Sequence, residues 1–422
     1  MSGFAPVQAK SSRLRVVWRE DPAHQAVIGW DQVSGKDAAL YVQELDAKGK
    51  PVGKSRKIPP TRIDKFMGMH NNFALLTGLK SGTAYRFLVK DSEDAGEASW
   101  FRTAPDRPVP FSFVAGGDTK SAPQLRKRGR RTNRIVAKLR PLFVVFVGDF
   151  TSAGIRPKEW QAWLDDWAAD LRTEDGQVIP IVPIRGNHET RSDILPRLFG
   201  LKDTGNYFAF DVGGDLFRLY ALNSELGFTG HGGNRKKIPS VFKKQTEWLR
   251  ADLEAHKNVK FKVAAYHKPI RPFTKSKPEN DYLYNSWAPL FHQFGVTLAF
   301  EGDSHMHKIT WPIRPSKEKG SVQGFVRDDK SGTVYLGEGS WGVAVRKNDD
   351  SKPWALQSGS FPQIKWVQVH PDKILIRTVL TEKTNPAKLK PAPDPMAAPK
   401  GLKLYDDGKH GTVIRLPLKL EE

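Results

Sequence analysis

Between Arg13 and Thr103 the apolar residues fall in short runs separated by turn residues, with no helical period. The runs Leu14 to Trp18, Ala26 to Trp30, Leu40 to Leu45, Phe73 to Leu76, Ala84 to Val89 and Trp100 to Arg102 predict strands at the spacing of a β-sandwich. Pro105, Pro108 and Pro110 then fix φ and remove backbone donors, which places a boundary there. Beyond it the pattern alternates. Buried strands are predicted at Phe111 to Ala115, Phe143 to Val147, Val178 to Ile184, Phe217 to Leu222, Phe261 to Tyr266 and Val296 to Phe300, with helical stretches between them. Trp160, Trp163, Leu164, Trp167 and Leu171 lie on one face of a helix over Lys158 to Leu171, an aromatic stripe suited to packing on a sheet. Trp366 to His370 and Ile374 to Val379 read as a hairpin, and the Pro/Ala/Lys-rich stretch from Asn385 to Lys400 as a linker or wrapped tail.

A chain of 422 residues exceeds the usual size of one core, so at least two domains are expected. Its formal charge of +21 favours anionic substrates or partners without choosing among nucleic acid, anionic surfaces and phosphate esters. The predicted helix over Leu125 to Arg140 concentrates that charge, with eight basic residues and no acid. It reads as a solvated face or, more sharply, as a surface that attracts anions. With no cysteine, disulfides, Cys-ligated zinc and thiol catalysis are excluded. No apolar run is long enough to span a bilayer, and Met1 to Ser12 has no apolar core of a signal peptide.

The metal-capable residues fall at the ends of predicted strands. Asp118 follows the run from Phe111, Asp149 the run from Phe143, Asn187 and His188 the run from Val178, His267 the run from Phe261, and Asp303 and His305 the run from Val296. Singly, each fits an ordinary turn or a structural histidine. Together they place ligand-type side chains at five strand ends, where α/β sheets bind ligands.

Gly117-Asp118-Thr119-Lys120, Gly148-Asp149, Gly186-Asn187-His188-Glu189, Tyr266-His267-Lys268-Pro269 and Gly302-Asp303-Ser304-His305 resemble, in order, the motifs of the calcineurin-like metallophosphoesterases. Within that superfamily, Thr77 to Tyr85 and Phe101 to Pro105 look like the last strands of the fibronectin-like domain of the purple acid phosphatase branch, and Gln245 with Trp248-Leu249 matches a helix of that branch. The resemblance covers about Leu14 to Val379. It implies an α/β fold, a four-layer αββα sandwich over residues 110–382, preceded by an all-β fibronectin type III-like sandwich over 12–105 and followed by a tail over 383–422.

The resemblance further implies two divalent or trivalent ions, of Fe, Mn, Zn or Mg. One would be held by Asp118, Asp149 and His305, the other by Asp149, Asn187, His267 and Asp303. His188 would be the catalytic acid/base beside the ester oxygen. Three departures stand out. Ser152 occupies the branch's tyrosinate position, so no colour from a Tyr ligand is expected; Lys120 stands where the wider family often has a His; and Asp303 replaces the first His of Gly-His-x-His. Lys120 reads either as a phosphate-binding ammonium or as a cation replacing a weakened metal, the first being adopted. His231, in a Gly-rich stretch, is a further candidate substrate contact, and His307 fits a supporting or surface role better than that of a spare ligand. The implied activity is hydrolysis of phosphomonoesters by a metal-bound hydroxide. The alternatives are phosphodiester hydrolysis at the same centre or a non-catalytic phosphate-binding or adhesion protein. Expected partners are phosphorylated anionic small molecules; nucleic acid is not required, the sequence does not fix the oligomeric state, and the resemblance alone favours export.

Overall fold

The computed structural model describes residues 10–229, 233–234 and 239–418. Eight strands come first: β1 (Ser11–Val17), β2 (Ala26–Gln32), β3 (Ala39–Leu45), β4 (Pro51–Ile58), β5 (Arg62–Phe66), β6 (Met69–Leu76), β7 (Ala84–Lys90) and β8 (Ser99–Arg102). They form a sheet of order β4-β3-β7-β8 and a second run, β1-β2-β6-β5, whose inner residues share one core that includes Trp30, Leu40, Leu76 and Phe87. β4 and β5 escape the apolar pattern because β4 is an almost fully exposed edge strand and β5 is short and charge-rich, with Ile63 and Lys65 facing outward.

The second part supplies β9 (Phe111–Gly116), α1 (Pro123–Leu139), β10 (Phe143–Phe146), α2 (Pro157–Asp170), β11 (Ile181–Pro183), α3 (Ile194–Phe199), β12 (Phe208–Val212) and β13 (Phe217–Ala221). A ribbon of β14 (Phe228–Thr229) and β15 (Gly233–Asn234) precedes α4 (Ser240–Ala255), β16 (Phe261–Ala265), α5 (Asp281–Gln293), β17 (Val296–Glu301) and β18 (His307–Thr310). A second ribbon, β19 (Ile313–Pro315) with β20 (Phe325–Arg327), leads to β21 (Val334–Gly337), β22 (Ala355–Gly359), β23 (Gln363–Val369), β24 (Ile374–Leu380) and β25 (Ile414–Leu416).

Two sheets face one another, and the alternation of side chains along each strand sorts residues into layers. Phe143 and Val145 of β10 point into the space between the sheets, with Phe113, Phe217 and Phe300, while Val144 and Phe146 meet Ile135, Trp163 and Trp167 of α1 and α2. On the far side of the other sheet, Tyr220, Ala264 and Ala299 pack under Leu249 of α4 and Trp287 of α5. The result is the αββα sandwich. β9, β10 and β11 run parallel in one sheet, and β13, β16, β17 and β21 in the other, so their carboxyl ends gather on one rim.

The first of these sheets does not stop at β11. β1 pairs with it in parallel at Val17 and Ile181, giving ten continuous strands of order β25-β24-β23-β9-β10-β11-β1-β2-β6-β5. Trp18, fully buried, stacks near Phe143 and Phe210 at 5.2 and 6.3 Å between ring centres, and Arg15, also buried, donates to the Leu198 carbonyl at 2.6 Å. Burial pulls the Arg15 guanidinium down to about 9. At the chain's other end, β25 pairs with β24.

The basic helix is largely spoken for. Arg126 and Arg130 donate to Asp166 and Asp170, Arg134 to Asp170, and Lys138 and Arg140 pair with Glu174 and Asp175. These cations therefore zip α1 to α2 and the loop after it, a third role that neither expectation for them contained.

Candidate metal centre

The predicted strand-end residues converge. Asp118 follows β9, Asp149 follows β10, Asn187 and His188 follow β11, His267 follows β16, and Asp303 and His305 follow β17. Asp118, Lys120, Asp149, Asp303 and His305 all have φ between 56° and 65°, a left-handed backbone that costs non-glycine residues energy and collects at functional sites. Gly148, at φ 97°, has no room for a side chain: a Cβ there would lie 2.6 Å from Gly186 N and 2.9 Å from His267 Nδ1. Likewise a Cβ on Gly339 would come within 2.1 Å of Asp118 Oδ2. These glycines let the loops close around the carboxylates.

Two groups of buried ligand atoms result, Asp118, Asp149 and His305, and Asp149, His267 and Asp303, the atoms of each lying within 4.8 Å of one another. Asp149 is common to both. In the first group His305 Nε2 lies 3.1 Å from Asp118 Oδ1, a buried carboxylate oxygen that, apart from this approach, has no hydrogen bond from the described residues. An acceptor left so is costly unless a cation completes it, so this donor set fits a metal ion. In the second, His267 Nδ1 donates to the Val147 carbonyl at 2.7 Å, which turns Nε2 toward Asn187 Oδ1, Asp149 Oδ1 and Asp303 Oδ1 at 3.1, 3.2 and 3.6 Å. Burial disfavours a charged His267, but Asp149 and Asp303 outweigh it and raise the imidazole well above its ordinary value. Burial works against ionised Asp149 and Asp303, but His267, with Lys120 and His188 beside Asp149 and with Lys268 and Lys277 beside Asp303, holds both well below the usual carboxylate range.

Three ammonium groups enter the centre. Lys120 Nζ donates to Asp149 Oδ2 at 2.5 Å; Lys268 Nζ to Asn187 Oδ1 at 2.8 Å and Asp303 Oδ2 at 3.1 Å; Lys277 Nζ to Asp303 Oδ1 at 2.6 Å. The sequence offered Lys120 as a phosphate-binding ammonium or as a cation replacing a weakened metal and gave Lys268 and Lys277 no part in the centre; here all three rest on its carboxylates.

His188 borders both the centre and solvent. Its Nδ1 donates to the Ser152 carbonyl at 2.6 Å, leaving Nε2 3.5 Å from Asp149 Oδ2, and burial lowers its pKa below the ordinary histidine value. Asn187 also lines an open cavity of about 550 Å³ with Arg185, Arg191, Glu225 and Leu226. Glu189 is a residue whose role the sequence did not reveal. Its buried carboxylate accepts from the N–H groups of Asp149, Phe150 and Gly186, fastening two ligand loops together. Ser152 Oγ accepts the Ser121 N–H at 2.9 Å and is engaged in joining loops. His307 is buried against Lys365, Phe361 and Tyr405, which removes it from the surface. His231 lies outside the described residues.

Residues 112–307 match the family model for calcineurin-like phosphoesterases. The match takes in 196 of the chain's 422 residues. The matched stretch begins in β9 and ends in β18, and so spans every residue of both ligand groups. Among curated proteins, it is 24% identical over 314 residues to Uncharacterized protein MT2654 and Uncharacterized protein Rv2577, both of Mycobacterium tuberculosis. That alignment takes in 67% of the chain and 58% of the length of either relative. Its fold is similar to that of purple acid phosphatase PPD1 from yellow lupin (Lupinus luteus) seeds, on which it superposes with a TM-score of 0.71, at 13% identity, over 96% of this chain and 74% of the other. The structure of PhoD gives a TM-score of 0.63 at 12% identity, over 99% of this chain and 93% of that one.

Proposed function

We propose that this chain hydrolyses phosphoesters, with phosphomonoesters preferred, at the centre formed by Asp118, Asp149 and His305 and the residues around it. The observation that carries the reading is the buried Asp118 Oδ1, which faces His305 Nε2 and has no hydrogen bond from the described residues, an arrangement that a bound cation would satisfy. A cation held by these three residues would act as a Lewis acid on a phosphoryl oxygen and lower the pKa of water. The imidazole suits a transition metal such as Fe, Mn or Zn better than Mg. In the two-ion arrangement that the family pattern implies, Asn187, His267 and Asp303 would join Asp149 around a second ion.

The chain's own groups supply the rest. Its Nδ1–H engaged by the Ser152 carbonyl and its cation disfavoured by burial, His188 presents a proton-accepting Nε2 toward the centre, where it can take a proton from the attacking water and then pass that proton to the departing ester oxygen. Lys120, Lys268 and Lys277 put three donors of positive charge beside the space a phosphoryl group would enter. A monoester dianion gains more from them than a diester monoanion does, which is why monoesters are placed first. Among the described residues no helix is long and apolar enough to cross a membrane. A panel of phosphomonoesters and phosphodiesters, assayed with Mn, Zn or Fe supplied, tests the reading. Preference for diesters in kcat/KM would overturn the monoester assignment, and absence of turnover with every metal would overturn the hydrolase.

A further inference from the structure

The two ligand groups share Asp149 but differ in how their oxygens are satisfied. In the group of Asp118, Asp149 and His305, one buried carboxylate oxygen, Asp118 Oδ1, has no hydrogen bond from the described residues. In the other, every side-chain oxygen that is not shared already faces an ammonium: Asn187 Oδ1 and Asp303 Oδ2 take Lys268 Nζ, and Asp303 Oδ1 takes Lys277 Nζ. An ammonium is a donor-only cation, so oxygens bound to it are already compensated.

Charge points the same way. Asp118, Asp149 and Asp303 contribute three negative charges, and Lys120, Lys268 and Lys277 three positive ones, with all six residues buried or nearly so. The protein matrix thus neutralises the carboxylates without any ion. One divalent ion leaves a modest excess of positive charge; a second would have to sit among ammonium groups in a weakly screening interior.

The lysines are built in. Lys268 follows His267 directly in the loop that leaves β16, and its backbone N–H donates to Ser224 Oγ at 3.0 Å. Lys277 sits in a loop closed on itself, where its N–H donates to the Thr274 carbonyl at 3.2 Å, the Asn280 N–H to the Ile270 carbonyl at 3.0 Å, and the Lys275 N–H to Asp349 Oδ1 at 2.9 Å. Arg346 adds a further cation, donating to the Asp303 carbonyl at 2.5 Å.

We propose that Lys268 and Lys277 occupy the second cation position of this centre, so that the chain binds one metal ion per molecule, at Asp118, Asp149 and His305. The inference rests on the reading of the first group as a metal site and departs from the two-ion pattern of the family. In such a centre the phosphoryl group is shared between one ion and fixed ammonium donors. The substrate's second contact would then be independent of metal concentration.

Metal stoichiometry decides it. The full chain is stripped with chelator, dialysed against excess Mn²⁺, and read by elemental analysis and by electron paramagnetic resonance. One Mn per chain with the six-line signal of an isolated ion is expected. Lys268→Met/Lys277→Met, which keeps volume while removing both charges, is expected to take up two Mn per chain and show the spin-coupled signal of a pair; circular dichroism establishes that it is folded. Two ions in the unaltered chain would overturn the proposal while leaving the metal-site reading intact. One ion in the folded double variant would also overturn it, because the lysines would then not be what excludes the second ion. No ion in either chain would overturn the underlying reading, and with it the proposal. If the double variant does not fold, the ratio in the unaltered chain decides.

Discussion

Truncating Glu189 should loosen the centre from behind, and the size of the effect can be worked out. Its carboxylate receives the N–H groups of Asp149 and Gly186 at 2.9 Å and of Phe150 at 3.1 Å, all inside the protein. Glu189→Ala orphans three buried donors at about 1–3 kcal/mol each, or roughly 3–9 kcal/mol in sum. Part of this is offset, because burial and the nearby Asp149 push the Glu189 carboxyl up to about 7, and removing a group so disfavoured as an anion brings relief. Unfolding entropy near 2.1 cal/mol/K per residue gives about 0.9 kcal/mol/K for 422 residues, so Tm should fall by about 3–10 °C, toward the lower figure after the offset. Glu189→Gln keeps a carbonyl that can serve Asp149 and Gly186 and gives up one donor, for a loss of about 1–3 kcal/mol. The order expected in differential scanning calorimetry is therefore unaltered chain, then Gln, then Ala. Phosphatase activity should follow the same order, because Asp149 relies on this clamp to hold its left-handed backbone. A Tm for the Ala variant within about 1 °C of the unaltered chain, or a Gln variant less stable than Ala, would refute the reasoning.

Two further outcomes are expected. His188→Ala should lower turnover by roughly 10²- to 10⁴-fold while metal content, measured on the same preparation, stays unchanged; loss of the metal would make His188 a ligand. Glu338 is buried with Oε2 unpaired and Oε1 on Lys308 at 2.5 Å, and burial, reinforced by Glu301 against the pull of Lys308, raises its carboxyl to about 7. Because the folded state keeps that proton where the unfolded chain has lost it, stability should decline as pH rises from about 4.5 to about 7 and level off above. Glu338→Gln should remove about 1–3 kcal/mol of that decline; an unchanged difference between melts at pH 5 and pH 8 would count against it.

The ligand residues were legible because each lies just past an apolar run, where strand direction alone decides the rim it reaches. Asp118, Asp149, Asn187, His267, Asp303 and His305 needed no knowledge of loop shape. The lysines did. Lys277 reaches Asp303 through the fold of the loop between β16 and α5, and nothing in its spacing shows which carboxylate it meets. Glu189 was visible as a motif letter, yet its task depends on three backbone donors brought together only by the loops. The cations of α1 could have been matched from sequence with their partners, since Arg126 and Arg130 lie forty positions before Asp166 and Asp170, one helical turn apart on both sides. That correspondence becomes persuasive only once the two helices are known to be neighbours. The polar strand β4 carries no apolar signal at all.

The seam between β1 and β11 has a consequence for anyone who shortens this molecule. Cutting the chain at the prolines would strip β11 of one of its two neighbours, leaving it an open edge beside β10, and uncover the Phe143 and Phe210 rings that Trp18 now shields. A short apolar strand with free amides beside a greasy hollow is a template for self-association. The isolated catalytic half should accordingly be sticky and poorly soluble, and the N-terminal strands are better regarded as its solubilising border than as a removable accessory.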